Sequence, residues 1–362
     1  MLRKKVTIAI PQLSDGGAER VVSIWANRLY NLSYDVSLLL FYRTSNEYNL
    51  NPNIPCVSIT KDINEYDKIS PISRIKKIRT QLKELSPDYV ISFLPAMQVY
   101  IMIASLGLKM KRIDTLRVNP WKIEMRNPLY LKLWKLSYYT CDKIIVQARD
   151  QIPWFNKKLI NKIDLVPNPL SSMYSKELRM EARPIVNFIA VGRLAPQKNY
   201  LMMIDGFSDA VKSHGNISLK IFGQGSDEYV KFLQSYIREK GMENHIYLMG
   251  RTENIEAEYQ KSDCFLMTSD YEGLPNALIE AMASQLVCIS TDCQTGPRDL
   301  IDHGRNGFLV PVGGTSQLSS AICSVVSMSP DELSVIAGLA RSKIIEYCSL
   351  ENSISKLCKL LQ

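Results

Sequence analysis

The chain reads as an α/β protein built from two Rossmann-like domains. Three observations predict this. Short apolar runs of buried-strand type recur along the whole length, and helical patterns stand between several of them. The alternation also breaks once, at Val166-Pro167-Asn168-Pro169, and then starts again. A length of 362 residues suits two domains at roughly 150 residues each. Hydrophobic residues make up 46% and charged residues 22%, which leaves room for two apolar cores.

The first domain opens with Arg3-Lys4-Lys5 and the strand run Val6–Ile10. The polar loop Ser14-Asp15-Gly16-Gly17-Ala18-Glu19-Arg20 then leads into a helix with Val21, Ile24, Trp25 and Leu29 on one face. Strand, glycine turn, helix is the start of a Rossmann-like unit, and the paired glycines let backbone approach a ligand phosphate. The loop is not a G-x-G-x-x-G, so it specifies no dinucleotide. Further strands are predicted at 34–41, 55–60, 88–94, 112–117, 142–147 and 162–166.

Between them, Ile72–Leu85 reads as a helix burying Ile72, Ile75, Ile78, Leu82 and Leu85. Its outer face carries Arg74, Lys76, Lys77, Arg79 and Lys83, which suits either solvent or anionic lipid. Tyr89 to Leu108 runs twenty residues without a charge, long enough to span a bilayer. Ser92, Pro95, Gln98, Ser105 and Gly107 divide it instead into a strand (89–94), a turn at Pro95 and a buried helix (96–107). Trp121 to Tyr139 mixes Arg, Lys, Trp and Tyr, which fits a core-facing aromatic stripe or an interfacial helix.

The segment 170–184 is polar and loop-like. The first domain is therefore placed at 1–169 and the second at 170–344, with a C-terminal helix of about 345–362 expected to pack back on the first. Second-domain strands are predicted at 185–191, 217–222, 245–249, 264–268, 287–291 and 308–311.

Charge divides unevenly. Residues 1–180 hold 28 Lys/Arg against 15 Asp/Glu, a net +13, whereas residues 181–362 hold 16 against 21, a net −5. A basic first half suits an anionic partner, either nucleic acid or an anionic membrane surface, or else a solvated charge bias. The eight cysteines form no C-x-x-C, the closest being Cys288 and Cys293. With no signal-peptide pattern in the first residues, they read as reduced cytosolic thiols. Three histidines lack metal-ligand spacing and no Asp-x-Asp occurs, so no metal is expected.

The chemistry-bearing residues follow predicted strands of the second domain. Gly192-Arg193-Leu194-Ala195-Pro196-Gln197-Lys198-Asn199 places two cations five apart, a fork and a point charge that suit a diphosphate. Ile221-Phe222-Gly223-Gln224-Gly225 and Met249-Gly250-Arg251 end two more strands, and Thr295-Gly296-Pro297 opens a helix. In Ser269–Ala283, Glu272 precedes a helix opened by Gly273-Leu274-Pro275, and Glu280 is read as lying two turns inside it. Carboxyl ends of strands in an open parallel sheet line one crevice, so these loops converge.

These segments resemble the retaining glycosyltransferases of family 4, which have the GT-B fold, over nearly the whole chain. The resemblance runs from Gly16-Gly17-Ala18-Glu19-Arg20 through Arg193 and Lys198 to the E-x7-E signature Glu272–Glu280. It is strongest to bacterial enzymes that extend polyprenyl-diphosphate-linked glycans. It implies two Rossmann-like domains with a donor/acceptor cleft between them and metal-independent catalysis with no cofactor. Arg193 and Lys198 would hold the donor diphosphate, Glu272 the sugar hydroxyls, and the backbone of Gly273 and Leu274 would lie near sugar and phosphate. Glu280 would accept from the ribose and Arg251 would lie beside the base. Glu272, Arg193 and Lys198 are the catalytic set. Gly17 would touch the diphosphate or acceptor across the cleft, with Gly16 beside it on the acceptor side.

One departure concerns Asp114-Thr115-Leu116-Arg117-Val118-Asn119-Pro120, where Arg117 stands at the place of a histidine in many relatives. Arginine is no base at neutral pH, but it can position an anionic acceptor or a phosphate. The resemblance thus implies transfer of a hexose or N-acetylhexosamine from a UDP-sugar to a lipid-diphosphate-linked glycan, with retention. The enzyme would be cytoplasmic and peripheral on the inner face of the plasma membrane, its basic first domain toward the anionic surface. A sugar-nucleotide epimerase or a soluble-acceptor transferase fits the same fold. A nucleic-acid-binding protein would fit the basic half, but no nucleic-acid-binding motif accompanies it, and none is expected as partner.

Overall fold

A computed structural model describes residues 3–14, 16–123, 127–171, 174 and 183–362. They form two compact units, Met1–Pro169 with Glu351–Gln362, and Leu170–Leu350. Asp15, part of the aromatic stretch 121–139 and most of the loop expected at 170–184 lie outside the described residues.

The first unit comprises β1 (Lys5–Ile10), α1 (Gly17–Asn31), β2 (Asp35–Leu40), β3 (Cys56–Ser58), α2 (Ile63–Lys68), α3 (Pro71–Leu85), β4 (Tyr89–Ser92), α4 (Pro95–Ala104), β5 (Lys111–Leu116), α5 (Pro128–Thr140), β6 (Lys143–Val146) and β7 (Ile163–Leu165). The strands form one sheet in the order β3-β2-β1-β4-β5-β6-β7, parallel throughout. Val6, Ile8, Ala9 and Ile10 on β1 are all buried, because helices cover both faces of such a sheet and no alternation with polar residues is needed.

The second unit comprises β8 (Asn187–Val191), α6 (Tyr200–Ser213), β9 (Ser218–Phe222), α7 (Asp227–Glu239), β10 (Ile246–Gly250), α8 (Ile255–Gln260), β11 (Cys264–Met267), α9 (Asn276–Ala283), β12 (Val287–Thr291), α10 (Pro297–Leu300), β13 (Phe308–Val310), α11 (Thr315–Ser327) and α12 (Pro330–Tyr347). Its sheet runs β10-β9-β8-β11-β12-β13, again parallel. In each sheet the chain starts near the middle, winds to one edge, then returns to build the other. The reversal falls between β1 and β4 in one unit and between β8 and β11 in the other. Connections leave in opposite directions at such a point, which opens a crevice at the strands' carboxyl ends.

The last helix, α13 (Leu350–Leu360), belongs to the first unit along most of its length. Trp25 Nε1 donates to Ser353 Oγ at 3.1 Å, and that hydroxyl donates to the Pro167 carbonyl at 3.0 Å. Ile354 and Leu357 are buried beneath it.

Two expectations change. In α3 only Ile78 and Leu82 are buried, while Ile72 is exposed. Ser70 caps the helix and Pro71 starts it, so Ile72 lies in the first turn, beyond the edge of the core. The basic face is also not simply outward. Arg74 stacks on Tyr66 and donates to its carbonyl, Lys77 donates to Ile59, and Arg79 donates to Ala104 and Leu106. Lys76, Lys77 and Lys83 are exposed, Lys77 while bonded to Ile59. The uncharged stretch Tyr89–Leu108 resolves into β4 and α4, with Pro95 as the first helical residue. Among the described residues no single helix is long and apolar enough to cross a membrane. One helix pair bent by 116°, Thr315–Ser327 with Pro330–Leu360, reaches that length and composition. Leu318, Ile322 and Val325 of α11 are nevertheless buried in the second unit's core.

Candidate active site

The loops after β8 and β11, the two strands flanking the second unit's reversal, are stitched to each other. Thr268 Oγ1 donates to the carbonyls of Lys198 and Asn199, and Asp270 N–H donates to Gln197 O. Gln197 Nε2 donates to Tyr271 O, and Asn199 Nδ2 to Asp270 Oδ1. Asn199 lies in the left-handed region and its side chain caps α6 by accepting from Met202 N–H. That capping reverses the chain just after Lys198 and turns its side chain back over the loop.

Lys198 Nζ thereby comes within 2.6 Å of Glu272 Oε1. Ser269 Oγ donates to the same oxygen at 2.6 Å. Glu272 Oε2 has no hydrogen bond among the described residues. Both side chains are mostly buried, at 20% and 10% exposure, so water screens their attraction only partly. Around them, Thr295 Oγ1 donates to the carbonyls of Glu272 and Gly273, and Glu272 N–H donates to Gln294 O. These bonds fix the loop from which α9 starts. No side chain caps that N-terminus, where Pro275 stands. Anions bind at such helix starts.

Two neighbours are kept neutral. Burial first, and the Glu272 charge after it, raises the Tyr200 phenol well above its ordinary range, so it remains a donor, to Gly192 O at 3.1 Å. Burial likewise pushes the Cys293 thiol up to about 12, which leaves it without nucleophilic character. The glycines act through space. A Cβ on Gly223 would stand 1.8 Å from Gly192 O, so only glycine lets the end of β9 lie against the Arg193 loop.

The other predicted residues divide. Arg193 is exposed on the same loop as Lys198, and Arg251 is exposed after β10. Gly273 and Leu274 lie on the loop that Thr295 holds. Glu280 differs from expectation, because α9 starts at Asn276 rather than at Gly273. It therefore lies one turn inside the helix. It is buried, with the hydroxyls of Tyr174 and Tyr259 at 3.4 and 3.5 Å from Oε2. Ser269 and Thr295 lie in segments that the sequence marks as chemistry-bearing without giving either a role, and Tyr174 and Tyr259 lie in none. For Ser269 and Thr295 the signal was their place at strand ends, but neither tyrosine carries one in sequence.

Gly16, Gly17 and Arg117 belong to the first unit. Gly16 is the N-cap of α1 in extended backbone. The buried Glu19 carboxylate folds back against it, so close that a Cβ on Gly16 would sit 1.8 Å from Oε2. Arg117, after β5, is buried with its guanidinium carbon 4.7 Å from the Trp25 ring and 5.0 Å from the Phe93 ring. Its Nη1 donates to Asn168 Oδ1 at 2.7 Å, while Nε and Nη2 have no hydrogen-bond partner among the described residues. Burial lowers its pKa to about 9, which still leaves it protonated at neutral pH. Among the described residues no group of three or more His, Cys, Asp or Glu is placed to hold a metal ion.

The family model for glycosyl transferases group 1 matches residues 186–328, the stretch that carries this site. A Campylobacter jejuni protein named GalNAc-alpha-(1->4)-GalNAc-alpha-(1->3)-diNAcBac-PP-undecaprenol alpha-1,4-N-acetyl-D-galactosaminyltransferase is 30% identical over 321 residues, 84% of this chain and 84% of its own length. The chain belongs to the group 1 glycosyl transferases. This glycosyltransferase is also 32% identical over 252 residues to an uncharacterized glycosyltransferase of Methanocaldococcus jannaschii, covering 64% of this chain and 62% of that one. Among solved structures, Anabaena Alr3699/HepE in complex with UDP superposes with a TM-score of 0.81 at 17% identity, over 99% of each chain. The fold is GT-B, with two parallel-sheet Rossmann-like domains.

Proposed function

We propose that this glycosyltransferase is a retaining, metal-independent family 4 enzyme. It moves a hexose or N-acetylhexosamine from a UDP-sugar to a polyprenyl-diphosphate-linked glycan, in assembly of a surface polysaccharide such as lipopolysaccharide O-antigen. The observation that carries the reading is the Lys198–Glu272 pair at the β8/β11 reversal, with one Glu272 oxygen uncommitted. The undecaprenol-linked substrate in the name of the Campylobacter relative supports the acceptor class, and UDP in the HepE structure supports the donor.

In this reading Arg193 and Lys198 neutralise the diphosphate as it departs with the nucleotide. Their effect grows as negative charge develops, so it lowers the barrier rather than merely binding substrate. Glu272 Oε2 accepts from a sugar hydroxyl and faces the positive charge gathering at the sugar carbon, as a carboxylate does in glycosidases. The α9 N-terminus and the backbone of Gly273 and Leu274 meet phosphate and sugar, Glu280 accepts from the ribose, and Arg251 lies beside the base. Gly16, Gly17 and Arg117 serve the acceptor side. The acceptor oxygen bonds to the carbon that the phosphate leaves, and its proton goes to the departing diphosphate oxygen, since Arg117 is no base. The enzyme acts in the cytoplasm, bound peripherally to the inner face of the plasma membrane.

The test is transfer from a panel of UDP-sugars to a lipid-diphosphate glycan, with EDTA present. Lys198→Ala and Glu272→Ala should each lower kcat/KM by roughly 10²–10³, as loss of one preorganised charge-stabilising group does elsewhere. Full activity in both variants, or loss of activity in EDTA, sinks the reading.

A further inference from the structure

We propose that the outer face of α5 in the first unit docks on an anionic phospholipid bilayer. Three large apolar side chains of this helix, Leu129, Leu136 and Tyr139, are 62%, 46% and 46% exposed, whereas Trp134 and Tyr138 on the opposite side are buried. The exposed positions recur at helical spacing and form one stripe. Lys132 and Lys135 are exposed among them. Folded proteins scatter single apolar groups over their surface, but a stripe edged by cations on one helix marks a contact surface.

A second segment extends the stripe. The turns Arg149–Trp154 and Lys157–Lys162 pack on α5 through the Tyr138, Trp154 and Phe155 rings. They add the exposed Ile160, Lys157 and Lys158. Between them and α5 lies a cavity of about 290 Å³ lined by Tyr138, Tyr139, Trp154, Phe155 and Leu159. Lys135 lines it too, its ammonium 5.7 Å from the Trp154 ring centroid. An aromatic hollow with an ammonium beside it suits a lipid whose apolar part enters and whose phosphate stays outside.

Charge selects the occupant. Segment 127–141 contains no Asp or Glu, and Asp150 is the one acidic residue of the turns Arg149–Trp154 and Lys157–Lys162, against Arg149, Lys157, Lys158 and Lys162. Lys162 is used internally, donating to the carbonyls of Tyr139 and Cys141, which leaves Lys132, Lys135, Lys157 and Lys158 facing outward. A second copy of this face would set those lysines against their own equivalents, since a two-fold contact is self-complementary. Anionic headgroups instead attract each lysine near the surface. The proposal gives a place to the membrane contact proposed above and rests on that reading.

The full chain is sedimented with phosphatidylcholine vesicles, with and without phosphatidylglycerol. The parent should bind mainly the vesicles containing phosphatidylglycerol, and less at high salt. Lys132→Gln with Lys135→Gln should weaken binding about thirtyfold, roughly fivefold per lysine. Leu136→Asp should weaken it as well, with an unchanged thermal melt in both variants because the residues are exposed. Lys76→Gln with Lys83→Gln, on α3, should bind like the parent. If the α3 variant loses binding and the α5 variants do not, the α5 face is wrong while the membrane reading stands. A parent that binds neither kind of vesicle overturns both. If gel filtration shows a dimer that Leu136→Asp dissociates with vesicle binding intact, the face is occupied by a second copy and the proposal fails.

Discussion

At the scale of single residues, Arg117 shows most clearly how burial changes the meaning of a charge. Two of its guanidinium nitrogens are buried with no hydrogen-bond partner among the described residues, while its faces lie on Trp25 and Phe93. Desolvation of a cation costs stability unless its donors are satisfied, so a purely structural Arg117 is a poor choice for this position. Arg117→Met keeps the packing against the rings and removes the charge. It should leave chemical stability within about 1 kcal/mol of the parent or raise it, because buried ion replacements by apolar groups are often neutral or stabilising. Transfer activity should fall. Urea melts alongside acceptor kinetics check this, and a variant that loses stability but keeps its activity assigns Arg117 to the fold alone. Glu272 and Lys198 are the opposite case, since each is mostly buried beside the other's opposite charge.

Among elements, α13 packs on the first unit as expected, whereas α3 departs from what local pattern conveys. The last helix is joined to the first unit by Ser353, which accepts from Trp25 and donates to Pro167, and by the fully buried Leu357. Leu357→Ala should destabilise the first unit by about 2–5 kcal/mol, the usual range for a leucine removed from a packed core. Denaturant unfolding measures the change, and a loss under about 1 kcal/mol means the site collapses around the missing atoms. In α3 the apolar spacing identified a helix correctly, yet Arg74, Lys77 and Arg79 are used as internal donors rather than as a free basic face. Sequence displays a charge but not the carbonyls within its reach. Strands were more legible. All twelve of the predicted strand ranges after β1 contain an observed strand to within a residue, because most of these parallel strands are short, mainly apolar runs between turn signals.

For the whole molecule, two sheets with separate cores imply ligand effects that need not be shared. Phe188, Phe207 and Leu219 are buried together in the core of the second unit, the unit that carries the candidate site. UDP at a hundredfold excess over its Kd should stabilise the native state by about 2.7 kcal/mol. If the second unit alone holds the nucleotide, calorimetry should show that transition moving up while Leu357→Ala shifts a different one. A single transition that UDP leaves in place argues against nucleotide binding there.

The sequence by itself determined the α/β class, the strand positions and the loops that carry polar chemistry. Each rests on local periodicity or on residues close together in the chain. It also placed Glu272 and Lys198 in one crevice, but without their ion pair. Their meeting depends on the order of strands in the sheet, which places β8 beside β11 and brings together residues 74 positions apart. Ser269 beside Glu272, Tyr174 and Tyr259 around Glu280, and Glu19 against Gly16 were decided in the same way, by tertiary packing. Local pattern records which face of an element avoids water, whereas side-chain partners follow from how whole elements are arranged in space.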